Sequence, residues 1–295
     1  MKAGFEFGSV TVYSGEKNGK YPDGNQVIVT GRSERAAFDS PLVANTLGQI
    51  FCSCDLAIQG HVHEDHTTGL HLIPDRPVYV HEADLDMARS REGYQRAAGL
   101  PDDVMAAMFS EIEAHFFYQP IPDAIAYTDG QCWDLGGVTV QAIHAPGHTR
   151  GHSILYVEKE GVAFIGDIDL TGFGPYYADA TSSLPEFRET LAKLPELDAR
   201  AWVTSHHRGV YTDRARMLAD LAAFADKIEQ RSATLRERLR TKPHTLDELI
   251  AERLLYPKDF QPMWVDYAEE RTIRAHLDEL MASGEVTLTD GFYTA

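Results

Sequence analysis

Four short stretches of this chain are apolar runs that stop at residues able to hold a metal ion. Ala57-Ile58 leads into Gly60-His61-Val62-His63-Glu64-Asp65-His66, and Val138–Ile143 leads into His144-Ala145-Pro146-Gly147-His148. Val162–Ile165 leads into Gly166-Asp167, and Trp202-Val203 leads into Ser205-His206-His207. Imidazole nitrogens and carboxylate oxygens without a thiolate suit zinc, iron or manganese and do not choose sharply among them. In an extended segment residues i and i+2 face the same side, so His61 and His63 can hold one ion together. Asp65 continues that side, and a turn into a helix there aims His66 at a neighbouring point. A lone H-x-H would be a weak signal; the same design repeated four times is a strong one. His71, His81, His115, His244 and His276 lack that context and read as ordinary surface or core residues. His144 and His152 flank the set and are candidates for orienting a ligand through hydrogen bonds.

If the four runs are neighbouring strands, their ends gather these residues at one sheet edge, the usual place for function in α/β folds. The rest of the pattern agrees. Val10–Tyr13, Gln26–Thr30, Leu56–Gln59, Pro77–His81, Ser153–Val157 and Ala201–Thr204 read as strands. Helices are expected over Asp39–Leu47, around Ala83–Ala97, over Asp103–Phe116 and Leu184–Leu194, and from about Asp213. Strands mixed with helices throughout indicate an α/β layered domain. The last ~55 residues read as a separate small unit. Thr245-Leu246-Asp247-Glu248 is a capping pattern, a helix runs from Ala268 to Ala282 with a stop at Gly284, and Asp290-Gly291 turns a hairpin. This order is winged-helix-like. The expected division is 1–228 for a catalytic domain and 229–295 for the C-terminal unit.

Composition narrows the partners. The 295 residues include 13 histidines and 3 cysteines and carry a formal charge of −18. Such a chain repels polyphosphate over most of its surface, so nucleic-acid binding is disfavoured. Cys52 and Cys54 form a C-x-C without a second pair, and with Cys132 they read as plain thiols rather than a disulfide framework. No apolar run approaches the ~20 residues of a membrane span, and no signal-peptide stretch follows Met1, so a cytoplasmic location with no membrane partner is expected. No G-x-S-x-G elbow is present.

Gly60–His66 matches the H-x-H-x-D-H motif of the metallo-β-lactamase-fold hydrolases. Ala145-Pro146-Gly147-His148-Thr149 resembles their P-G-H-T segment, and Phe164-Ile165-Gly166-Asp167 their strand-ending G-D. The resemblance spans roughly residues 10–210 and implies an αββα sandwich. It implies one metal on His61, His63 and His148, a second on Asp65, His66 and a late histidine, and Asp167 bridging them. The late histidine aligns best as His206, with His207 as the alternative because His207-Arg208-Gly209 resembles an H-x-G ending. The implied activity is that of a dinuclear, glyoxalase II-like hydrolase. Two divalent ions, zinc first and iron or manganese second, would activate water toward a small-molecule ester, thioester or lactone. Asp65 would also accept the nucleophile's proton. The same ligands serve a mononuclear iron dioxygenase acting on persulfides, and relatives with a similar appendage cleave RNA. Residues 243–295 carry four basic and eleven acidic residues, a net −7 of the wrong sign for reading nucleic acid. The appendage is therefore expected to be a lid, a packing partner or a homo-oligomer contact. Arg150, Arg208, Tyr176 and Tyr177 are candidate substrate contacts. The family usually ends an early strand in an aspartate that supports the site, and the Val27–Gly31 segment places Val29 there.

Overall fold

Strand after strand in this chain is apolar at nearly every position, which is expected where both faces of a sheet are covered. The computed structural model describes residues 4–295 and shows that arrangement. A seven-stranded sheet runs in chain order: β1 (Phe5–Phe7), β2 (Val10–Tyr13), β3 (Gln26–Thr30), β4 (Arg35–Phe38), β5 (Leu56–Ile58), β6 (Val78–His81) and β7 (Ile125–Tyr127). Its first four strands are antiparallel and the pairings from β4 to β7 are parallel. The second sheet holds β8 (Cys132–Asp134), β9 (Thr139–His144), β10 (Ser153–Val157), β11 (Val162–Gly166), β12 (Ala201–Thr204) and β13 (Val210–Tyr211). Its order is β13-β12-β11-β10-β9-β8.

Alternation sorts the side chains into three layers of core. Val27 and Val29 of β3 face Val162 and Phe164 of β11 and Ala201 and Val203 of β12 across the space between the sheets. Their neighbours point the other way. Ile28 joins the core beneath α1 (Val43–Leu47), α2 (Gln49–Cys52), α3 (Leu85–Arg89), α4 (Arg91–Ala98) and α5 (Asp102–Phe116). Ala163, Ile165 and Trp202 pack beneath α6 (Leu184–Lys193) and the first half of α7 (Arg214–Thr241). The architecture is the αββα sandwich, α/β in class, that the motif resemblance implies.

The C-terminal segment adds α8 (Leu246–Glu252), α9 (Val265–Ala282) and a hairpin of β14 (Thr287–Thr289) and β15 (Phe292–Thr294). Thr245 forms a complete capping box with Glu248. Along α7 the buried stripe changes partners: Met217, Leu221, Phe224 and Ile228 join the sandwich, whereas Leu235 and Leu239 join Leu249, Ile273 and Leu277.

Three expectations need correcting. The four runs are not neighbouring strands of one sheet: β5 lies in the seven-stranded sheet and β9, β11 and β12 in the other, with β10 between β9 and β11, so the candidate donors come from both sheets. The helical stretch around Ala83–Ala97 is two helices broken at Ser90, which is extended and accepts a hydrogen bond from Gly93 N, an N-cap inside the helical pattern. The expected helix over Asp39–Leu47 starts only at Val43. Its first residue, Asp39, instead follows directly on β4, a strand hidden by the low β-propensity of its two alanines.

Candidate metal centre

Each approaching segment is shaped by a local device. After β5 the chain stays extended through His61 to His63, and a single 3-10 turn over Glu64–His66 swings His66 inward. After β11 the turn depends on glycine: Gly166 sits at φ 56°, and a Cβ there would lie 2.5 Å from His152 Nε2. His152, fully buried, accepts a hydrogen bond from Asp167 N (3.2 Å) and so braces the backbone that presents Asp167. His206 lies just beyond β12.

These segments bring two donor groups together. His61, His63 and His148 form one, and Asp65, His66 and His206 the other; within each, the donor atoms lie within 4.8 Å of one another. His148 Nε2 is 3.0 Å from His63 Nδ1, and His206 Nε2 is 3.2 Å from His66 Nε2 and 3.0 Å from Asp65 Oδ2. Asp167 stands between the groups, with Oδ1 3.2 Å from His66 Nε2 and Oδ2 3.5 Å from His148 Nε2. His207 belongs to neither group.

The outer ring nitrogens have their own partners, which decides the direction of the inner ones. His66 Nδ1 donates to Asp39 Oδ2 (2.8 Å), His63 Nε2 to Asp179 Oδ2 (2.6 Å) and His148 Nδ1 to Tyr176 O (2.9 Å). His206 Nδ1 donates to Asp23 O (2.8 Å). Asp39 also accepts from Gly60 N (2.6 Å), so one carboxylate fixes both the first motif's backbone and one of its rings. This is the supporting role that the resemblance expects of an aspartate at the position of Val29. It is filled one strand later, just after β4. Its signal was in the sequence: Ala36-Ala37-Phe38-Asp39 is one more apolar run ending in a metal-compatible residue. Asp179 and Asp84 had no such signal. Asp84 accepts from Thr149 Oγ1 (2.6 Å) and Gly151 N (2.8 Å), holding the loop that carries His148.

The electrostatics call for a cation. Burial pushes His148 down to about 4 and holds His61 well below the ordinary histidine value, so both rings are neutral. Burial acts the same way on His63, but the Asp179 carboxylate overrides it and carries His63 up to about 9. Neither ring nitrogen of buried His61 has a hydrogen-bond partner, and Asp167 Oδ1 lies near two imidazoles without bonding geometry to either. Buried polar atoms are rarely left unpaired. Seven side chains whose nitrogen and oxygen atoms converge, with three of those atoms on His61 and Asp167 unsatisfied, fit divalent cations.

A cavity of about 510 Å³ opens onto His63, Asp65, His148, Asp167 and His206. Tyr176 lines it; Tyr177, Arg150 and Arg208 do not. The hydroxyl of Tyr177 turns into the interior, beside His276 Nε2 (2.8 Å) and accepting from Arg231 (2.9 Å). Arg150 is exposed, and Arg208 donates to Leu170 O. His144 is also remote, stacked on His81 with ring centroids 4.2 Å apart. Among the described residues, no helix is long and apolar enough to cross a membrane.

Comparison with known proteins identifies the family and the fold. An acyl-coenzyme A thioesterase of Bos taurus is 30% identical over 158 residues, covering 52% of this chain and 54% of that protein. An atrochrysone carboxyl ACP thioesterase of Paecilomyces divaricatus is 27% identical over 229 residues, 78% of this chain and 61% of its own. The chain thus spans about half the length of the bovine relative. A metallo-beta-lactamase family protein of Thermus thermophilus superposes with a TM-score of 0.68 at 22% identity, covering 92% of this chain and 93% of that one. A beta-lactamase domain protein of Burkholderia ambifaria does so with 0.68 at 17%, covering 98% and 92%. At these identities the structures speak for the fold alone. Residues 55–206 match the metallo-beta-lactamase superfamily, and the chain belongs to that superfamily.

Proposed function

We propose that this protein is a metal-dependent hydrolase of thioesters, with esters and lactones as chemically related substrates. The observation that carries the reading is the pair of donor groups flanking Asp167, with the unpaired nitrogens of His61 at its heart. His61, His63 and His148 would hold one divalent ion, Asp65, His66 and His206 the other, and Asp167 both, with zinc the first expectation. When bound, such ions supply an activated water at neutral pH and polarise a carbonyl. The chain's own residues do the rest. Asp65 would also take a proton from the nucleophile. Asp39, Asp179, Tyr176 O and Asp23 O keep four imidazoles turned inward, so no ring reorganises during the reaction. The cavity admits the substrate on the side of His63, Asp65, His148, Asp167 and His206.

The thioesterase names of the bovine and fungal relatives support the substrate class. The division into a catalytic unit, 1–228, and a winged-helix-like unit, 229–295, belongs to the same proposal and is supported by the change of core partners along α7 between Ile228 and Leu235. The test is metal analysis by mass spectrometry on untagged protein, run beside a thioester and lactone hydrolysis screen. Two metals per chain and chelator-sensitive thioester hydrolysis are expected. One iron per chain with oxygen uptake would overturn the reading in favour of a persulfide dioxygenase.

A further inference from the structure

The cavity has a second character that the metal donors do not use. One wall is apolar and comes from the helical segment after β6: Met87, Met108, Ile112 and Phe116 on helices, and Leu100 on the link between α4 and α5. The facing wall comes from the C-terminal segment as an aromatic group of Tyr256, Phe260 and Trp264. Tyr256 and Phe260 stack with centroids 5.1 Å apart, Trp264 meets both edge-on at 5.5 and 5.8 Å, and Phe173 reaches Tyr256 at 5.6 Å from the loop after Asp167. This wall is built to stay in place. Glu269, completely buried on α9, accepts hydrogen bonds from the backbone N–H groups of Leu254 (2.7 Å), Leu255 (3.0 Å) and Tyr256 (2.8 Å). A buried carboxylate spent on three main-chain donors fixes a loop that has no regular structure of its own.

The charge of the cavity restricts what enters between the walls. The carboxylates of Glu64, Asp169 and Asp179 also line it. Arg271, the guanidinium in the lining, is engaged by the carbonyls of Ala98, Gly99 and Ala178. An acyl tail ending in a carboxylate would meet like charge and find no free arginine. A volume of about 510 Å³ is of the size that encloses most of a small organic ligand.

We infer that the space between the α5 wall and the aromatic group of the C-terminal unit is the acyl pocket of the enzyme, and that its substrates carry an uncharged, apolar acyl body, with Trp264 and Phe260 as the residues that set the preference. The inference rests on the hydrolase reading for the acyl class, yet its test separates the two. The full chain is titrated with straight-chain alcohols from hexanol to dodecanol while tryptophan emission is followed. Trp202 is fully buried and Trp133 nearly so, both in the sandwich core, so Trp264 is the reporter and Trp264→Phe its control. Affinity should rise about fourfold per methylene until the pocket is full, because each buried methylene contributes a constant increment. The emission change should vanish in Trp264→Phe. In parallel, the metal-loaded protein is given acyl thioesters of increasing chain length. The ratio of kcat/KM for long over short chains should fall about tenfold in Trp264→Ala. Alcohol affinity that is flat with length, or thioester hydrolysis that ignores length, overturns the pocket. Length-dependent alcohol binding with no hydrolysis of any thioester leaves the pocket standing and sinks the hydrolase reading.

Discussion

The two sides of the cavity are held by opposite means. On one side are buried polar groups, seven candidate donors of which four imidazoles have their directions set by carboxylates and main-chain carbonyls behind them. On the other is an aromatic wall whose shape comes from ring packing and from one buried carboxylate, Glu269, gripping three backbone N–H groups. On the proposed reading, reactivity is concentrated in the sandwich and selectivity in the C-terminal segment. The difference has a physical basis. Donors for a cation must be placed to within a few tenths of an ångström, which suits the rigid ends of paired strands. A surface that recognises apolar bulk tolerates looser placement, and it can be carried by a segment added after the core is complete.

Substitutions can break this division, and the largest effect belongs to the polar side. His63→Ala removes a donor and uncovers Asp179, and turnover should fall about 10³-fold or more with loss of bound metal, read by mass spectrometry and thioester kinetics. Retention of both metal and full turnover would mean the donor assignment is wrong. Next comes Glu269→Leu, which leaves three N–H groups unpaired in a buried position. It should cost about 3 kcal/mol in denaturant unfolding, and chain-length preference should weaken while metal content holds. Asp39→Asn tests the brace behind the donors. It keeps the size of the side chain but replaces the carboxylate oxygen facing His66, and metal affinity should drop about 10–100-fold in chelator competition. The smallest effect is expected outside both sides. Arg150→Ala, exposed and away from the cavity lining, should change stability by less than about 0.5 kcal/mol and leave KM within twofold. A KM change of tenfold would show that the entrance extends farther than the cavity does.

Legibility in the sequence divides along the same line. The donors could be read because each sits at the end of an apolar run and because a period of two is visible in His61-Val62-His63. Asp39 obeys the same rule, but Arg35-Ala36-Ala37-Phe38 does not look like a strand; pairing with β3 and β5 makes it one. Asp179 lies 116 residues from the histidine it supports, and nothing in its neighbourhood announces that contact. The tyrosines after Asp167 show the reverse case. Tyr176 and Tyr177 are adjacent and equivalent in the sequence, yet one lines the cavity and the other is buried against His276 and Arg231.

By itself the sequence determined the layered fold and the candidate donor types at strand ends, since these follow from local periodicity and from strands that are buried on both faces; that the strands belong to two sheets was decided by their packing. Only the tertiary structure decided which of two adjacent histidines, His206 or His207, stands among the donors, and which nitrogen of each ring turns inward. It also decided that an acid-rich C-terminal segment supplies an aromatic wall. Those outcomes depend on contacts between residues far apart in the chain, such as His206 with Asp23 and Arg271 with the carbonyl of Ala98. Contacts of that kind leave no period in the sequence, because their partners meet only after the sheets have packed.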